Sequence, residues 1–221
     1  MSGICCLAQS RVSADVEVKT LMDGKVTTVT KRTFCNGNGR VVTVFSSPTK
    51  FVTCANLSGE VKMYSPSDNT VFSDRKDDFS TKDELLYLFL SGRSADMGLT
   101  SFGYKIVSSE PEEGGYLKRT YKSSKSGAVP KIEIVLKDYL PVYIAYYNGA
   151  GKIVSKTYLS SYDMSSRLVL PARVTSIDYL KNRDSTVVRT LYSNIRIDSD
   201  EPEFSFEVPS DAVAIKNPLK K

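Results

Sequence analysis

Short runs in which apolar and polar residues alternate follow one another along most of the chain. Residues 15–21 alternate in this way and lead into Asp23-Gly24, a pair typical of tight hairpin turns. Similar runs follow, separated by turn sequences such as Asn36-Gly37 and Asn148-Gly149. Strands joined in order by short turns form an antiparallel meander. The pattern therefore predicts one antiparallel sheet of about 11–12 strands, the last of them at residues 204–208.

One segment departs from the strand pattern and predicts a helix. Ser80 is a suitable N-cap residue, and Asp83 and Glu84 place acidic side chains in the first turn. Six apolar residues follow at positions 85–90, and Ser91-Gly92 ends the run. A helix with no polar face is buried, or contacts apolar groups on more than one side.

The alternating strands divide their residues between an apolar face and a polar face. Ile132 and Ile134 fall on one face of a predicted strand, and Lys131 and Glu133 on the other. A sheet of a dozen strands curls or closes, so the apolar faces would line a concave surface. Two interpretations stay open from the pattern: a packed core plugged by the helix, or a lined pocket for an apolar ligand. The residues assigned to the lining are Val41, Phe45, Phe51, Met63, Leu85, Leu86, Phe89, Ile132, Ile134, Val142 and Ile144.

Composition removes several classes of chemistry. The sequence contains no His, which excludes Ser-His-Asp and Cys-His catalysis and every His metal ligand. Neither Cys35 nor Cys54 belongs to a short C-x-x-C pair, which argues against zinc, and we expect no metal and no cofactor. The net charge of +5 comes from Lys and Arg residues spread along the chain, which argues against nucleic acid as a partner. The acidic pair Asp77-Asp78 is more typical of a solvated turn than of a catalytic dyad, so we expect no enzyme.

The first residues and the cysteines bear on the cellular compartment. Residues 3–8 are largely apolar and end at Ala8, similar to the tail of a secretory signal peptide. We interpret residues 1–9 as a signal-peptide remnant or a disordered terminus, with lipid attachment at Cys5 or Cys6 as an alternative, and residues 10–221 as one domain. Cys35 and Cys54 form either a disulfide or, as we prefer, two buried free thiols.

Four stretches in order along residues 16–215 resemble one known family. They are residues 40–48 (RVVTVFSSP), residues 58–66 (SGEVKMYSP), the Leu-rich helix ending in Leu90-Ser91-Gly92, and residues 204–212 (FSFEVPSDA). The chain resembles the LolA/LolB-like carriers of the bacterial lipoprotein-sorting system. It differs from them at Lys62, where the family has Trp, and in entering its strand pattern near Asp15 without a preceding helix.

This resemblance implies a fold, a function and a location. The fold is mainly β, an unclosed antiparallel half-barrel wrapped around a buried, lid-like α-helix. The function is a monomeric periplasmic carrier in a Gram-negative bacterium, a chaperone that holds the acyl chains of lipoproteins or other lipids on their way to the outer membrane. Its partners are an inner-membrane donor complex and an outer-membrane acceptor. The alternatives are a sensory or protein-binding module on the same fold, and an outer-membrane lipoprotein receptor.

Overall fold

The computed structural model of the protein describes residues 10–123, 127–180 and 185–216. The predicted signal-peptide remnant at residues 1–9 lies outside the described residues. The described chain forms 14 strands and one α-helix, α1 (Leu85–Leu90), together with short 3-10 turns. The strands are β1 (Arg11–Met22), β2 (Lys25–Asn36), β3 (Val41–Ser47), β4 (Phe51–Ala55), β5 (Glu60–Ser65), β6 (Thr70–Arg75), β7 (Tyr104–Glu112), β8 (Tyr116–Ser123), β9 (Lys131–Lys137), β10 (Leu140–Tyr147), β11 (Ile153–Tyr162), β12 (Pro171–Tyr179), β13 (Ser185–Ile197) and β14 (Val213–Ala214).

All of these strands belong to a single sheet in the order β14-β6-β5-β4-β3-β2-β1-β13-β12-β11-β10-β9-β8-β7. Neighbours are antiparallel except for β14, which runs parallel to β6. The first strand therefore lies in the middle of the sheet, beside β13. The predicted fold class, a mainly β unclosed half-barrel around a short helix, is confirmed, with more strands than the predicted 11–12.

The connection between β6 and β7, residues 76–103, runs over one face of the sheet and is called the crossing segment. It contains α1, whose Leu86, Tyr87 and Phe89 pack on β1, β2 and β3. Further along, Leu99 packs with Ile134 and other residues of β8 to β11. The crossing segment thus fills the concave face from one half of the sheet to the other.

Helix α1 is buried on both sides, as its sequence predicts. Leu86 and Leu88 are 0% and 1% exposed. Leu88 points away from the sheet towards Gly98, where a Cβ would lie only 2.9 Å from the Leu88 Cδ2. Because Gly98 has a φ of +73°, this close approach and its backbone conformation both favour glycine. The later part of the crossing segment therefore covers the helix from outside.

The convex face of the first half of the sheet is covered by residues 198–212, called the strap. Phe204 packs edge-on against Phe34, with ring centroids 5.4 Å apart. The Glu201 carboxylate binds the Arg32 guanidinium at 2.5 Å and accepts a hydrogen bond from the Ser13 hydroxyl at 2.5 Å. The strap then leads into β14, which closes the β6 edge of the sheet.

Two local predictions need correction, and a third is confirmed. The predicted strand at residues 204–208 is wrong, because Pro202–Ser205 form a 3-10 turn that lets Phe204 reach the sheet. Ser80 caps a separate 3-10 turn, Thr81–Asp83, so that α1 begins later than predicted. Cys35 and Cys54 are both free thiols, as preferred from the sequence, although Cys54 is only half-buried. They lie on opposite faces of the sheet, packed with α1 and with the strap respectively.

Candidate functional site

A cavity of about 250 Å³ lies between the concave face of the sheet and the start of α1. Strands β1, β2 and β13 supply its floor, and the crossing segment supplies its roof. The lining residues are Val16, Val18, Lys31, Thr33, Thr190 and Tyr192 from the strands, and Asp83, Glu84 and Leu85 from the crossing segment.

Strand register explains why these residues meet. Val16 of β1 lies opposite Lys31 of β2 on one side and opposite Tyr192 of β13 on the other. Side chains two residues apart share a face, so Val18, Thr33 and Thr190 fall on the same concave surface. The buried residues of α1 pack on the neighbouring part of the same surface, since Leu86, Tyr87 and Phe89 share a core cluster with Val16.

The cavity combines apolar walls with charged groups. Burial raises the pKa of the Glu84 carboxyl above its usual value, and the nearby Lys31 ammonium offsets part of that effect. Burial, and then the Glu84 carboxylate, raise the pKa of the Tyr192 hydroxyl. The Lys31 ammonium lies 5.5 Å from the centre of the Phe45 ring, in a cation-π contact at the edge of the cavity.

The residues predicted from the sequence as an apolar lining occupy several different places. Leu85 lines the cavity. Phe45 and Phe51 stack on each other, with centroids 4.0 Å apart, beside the cavity lysine. Met63 is half-buried opposite Phe72 of β6. The fully packed members, which lie in the two core clusters under the crossing segment, are Val41, Leu86, Phe89, Ile132, Ile134 and Ile144.

Val142 was predicted to share the apolar face with Ile144, but the local backbone geometry of β10 moves it out of that alternation. A register shift between Pro141 and Tyr143 places Val142 at an irregularity in the pairing of β9 and β10. The fully buried position beside Leu136 belongs instead to Pro141. The alternation that groups Val142 with Ile144 is therefore interrupted at Val142 itself.

The polar members of the cavity were not predicted from the sequence, although one of them carries a signal there. Lys31 is separated by an even number of positions along β2 from Val29, Thr33 and the buried Cys35, so these side chains share one face of the strand. A lysine that shares a strand face with buried residues points to the concave side of the sheet, and its ammonium group therefore lies there too. Glu84 carries no comparable signal, since an acid before an apolar helix is typical of any helix start.

Among the residues that the structure describes, no cluster of three or more Cys, Asp or Glu side chains could hold a metal ion. Over the same ranges, no helix reaches the length and hydrophobicity needed to cross a bilayer.

Three solved structures share the fold over most of the chain. A LolA superfamily protein from Nitrosomonas europaea has a TM-score of 0.59 at 12% identity, over 90% of this chain and 91% of that one. A DUF1329 family protein from Desulfovibrio piger has a TM-score of 0.60 at 18% identity, over 90% of each chain. A Vibrio parahaemolyticus domain assigned to outer membrane lipoprotein sorting has a TM-score of 0.59 at 14% identity, over 86% of each chain.

These neighbours define the class of fold. The chain has the LolA-like fold, an open β half-barrel, and the resemblance drawn from the sequence motifs is confirmed at that level. No family pattern matches the sequence itself, and no curated protein does so either.

Proposed function

We propose that the protein binds the acyl chains of lipoproteins or other lipids on its concave face and carries them across the periplasm to the outer membrane. The observation that carries this proposal is the cavity between the sheet and the start of α1, where Val16, Val18 and Leu85 offer apolar contacts. The LolA-like fold supports it, since one neighbour with that fold is assigned to lipoprotein sorting. Each buried methylene of a chain would contribute about 0.8 kcal/mol.

The size of the cavity bears on how such a chain would enter. A volume of about 250 Å³ is below the range of roughly 300–1,000 Å³ typical of small-molecule sites. A long acyl chain would therefore need the crossing segment to move. The start of that segment is fixed, because the Thr81 hydroxyl donates to the Gly39 carbonyl at 2.6 Å and the Ser80 hydroxyl to the Leu57 carbonyl at 2.9 Å. Movement would then be confined to α1 and the turns after it.

The proposal includes transfer without covalent chemistry by a monomer. Residues 10–221 would act as one lipid-binding domain, receiving cargo from an inner-membrane donor and passing it to an outer-membrane acceptor. Binding energy alone would drive loading, and the donor and acceptor would set the direction.

A second candidate is a sensory or protein-binding module, or an outer-membrane lipoprotein receptor, on the same fold. The specific observation in its favour is the dense packing of the predicted lining, since Leu86 and Ile134 are both 0% exposed. A half-barrel whose concave face is already filled has little room for cargo and would act through its surface.

Native mass spectrometry of the protein purified from a Gram-negative envelope separates the two candidates. We expect a mass increment corresponding to bound lipid, and uptake of a neutral apolar dye by the delipidated protein. An unloaded protein that also takes up no dye would contradict the carrier function and favour the module.

A further inference from the structure

Four hydrogen-bonding side chains meet in the cavity without satisfying one another. They belong to Lys31, Thr33, Thr190 and Tyr192. Within the described ranges, none of the four side chains has a hydrogen bond or salt bridge to another residue, and none of their polar atoms is among the fully buried ones that lack a partner. These polar atoms therefore face the open space of the cavity, where a ligand can reach them.

These four side chains can all donate. The Lys31 ammonium is a donor only, and the three hydroxyls can each donate one hydrogen bond. A ligand that matches them must bring acceptors, and the fixed positive charge favours acceptors that carry negative charge. We propose that the cavity prefers amphiphiles with an anionic head group, a carboxylate or a phosphate, and that Lys31 binds this group. This inference rests on the proposed function, because the apolar tail would use the same cavity.

The two acidic residues of the cavity do not oppose an anion equally. Asp83 is exposed, so water and salt screen its charge. Glu84 is held in a setting where burial favours its neutral form. The Lys31 ammonium acts on the pKa of Glu84 in the opposite sense, so the head-group contacts are those of Lys31 and the three hydroxyls.

The positions of the apolar side chains determine how a bound amphiphile would be oriented. Lys31 also touches the face of Phe45, which stacks on Phe51 towards the β3–β4 hairpin. Val16, Val18 and Leu85 complete the apolar wall beside it. The head group would sit at Lys31 and the chain would follow these apolar side chains.

The test compares three single-chain ligands with the same sixteen-carbon tail, roughly matched in apolar area: palmitate, hexadecyl phosphate and hexadecanol. Each displaces the neutral dye N-phenyl-1-naphthylamine from the full chain, below its micelle concentration. We expect both anions to displace the dye at concentrations at least about tenfold lower than hexadecanol. The tighter of the two anions identifies carboxylate or phosphate as the preferred group.

Two variants locate the effect. Lys31→Met should weaken both anions by about tenfold and leave hexadecanol unchanged, whereas Tyr192→Phe, which removes one hydroxyl, should weaken them by about threefold. Lys122→Met, at an exposed strand position, is the matched control and should change neither. Far-UV circular dichroism of each variant confirms that it is folded.

The outcomes separate this inference from the proposed function. Equal binding of hexadecanol and the anions, or unchanged anion binding in Lys31→Met, overturns the head-group inference while the carrier function stands. If neither the dye nor any of the three ligands binds, the carrier function fails and the head-group inference fails with it.

Discussion

Leu85 and Leu86 are adjacent on α1, yet their side chains lie in different surroundings. Leu86 is 0% exposed and lies in the core cluster with Val12, Ala14 and Phe89. Leu85 is half-buried and lines the cavity. Replacing each in turn by Ala therefore tests whether α1 is core, lining or both.

The expected magnitudes follow from these surroundings. Leu86→Ala removes three buried carbon atoms from a packed site and leaves a void, which should lower the free energy of unfolding by about 3–4 kcal/mol. Leu85→Ala removes a half-buried side chain that packs at the margin of both core clusters and leaves no closed void, so the loss should be smaller, about 1–2 kcal/mol. Binding of the neutral dye should change in the opposite order, about fivefold weaker in Leu85→Ala and unchanged in folded Leu86→Ala.

Urea unfolding followed by far-UV circular dichroism gives the stabilities, and dye titration gives the affinities. Since the chain contains no Trp, dye emission is free of protein background. An equal stability loss in the two variants, or a larger one in Leu85→Ala, would refute the described orientation of α1. Unchanged dye affinity in Leu85→Ala would remove this cavity as the apolar site.

Three further predictions concern the strap, the contact of the β4–β5 turn with the start of the crossing segment, and the thiols. Serine hydroxyls and arginines around Glu201 lower its pKa despite its burial, so its stabilisation is present above the unfolded pKa of about 4.3 and is lost as pH falls through the folded value. Glu201→Gln should cost about 1–3 kcal/mol at neutral pH and flatten the acid limb of a stability–pH curve. Gly59→Ala places a Cβ 2.1 Å from a backbone carbonyl oxygen and should cost more than about 2 kcal/mol, whereas Gly24→Ala, at a similar positive φ with no atom within 4 Å, should cost about 1 kcal/mol by thermal unfolding. In the folded protein a thiol reagent should label the half-buried Cys54 much faster than the buried Cys35, and equal rates would contradict their placement on the two faces.

Much of the fold could be predicted from local pattern because hydrogen-bonded hairpins repeat a simple alternation. The turn at Asp23-Gly24 and the wholly apolar helix are both encoded within a few residues. The predicted strand at residues 204–208 failed because Phe204 and Phe206 alternate as a strand would. Their partners, such as Phe34, lie far away in sequence and select a 3-10 turn instead.

The candidate site was harder to predict for a related reason. The alternation of apolar and polar residues predicts that Ile132 and Ile134 face inward, but the same alternation is typical of both a packed core and a cavity wall. Which of the two a residue joins depends on how the crossing segment lies over the sheet, and no local signal carries that information. The cavity forms where β1 meets β13, so Val16 and Tyr192 become neighbours only in the folded chain.

The pairing of β1 with β13 also sets the order in which the molecule can be built. The backbone amide of Arg11 donates to the Asp198 carboxylate across 187 residues of chain. Hairpins on either side can form early, yet they stay two separate ribbons until the last long strand arrives and joins them. Closing so long a loop is slow and costs conformational entropy before any contact repays it. The half-barrel, and with it any cavity for cargo, therefore comes into being only after nearly the whole chain is available.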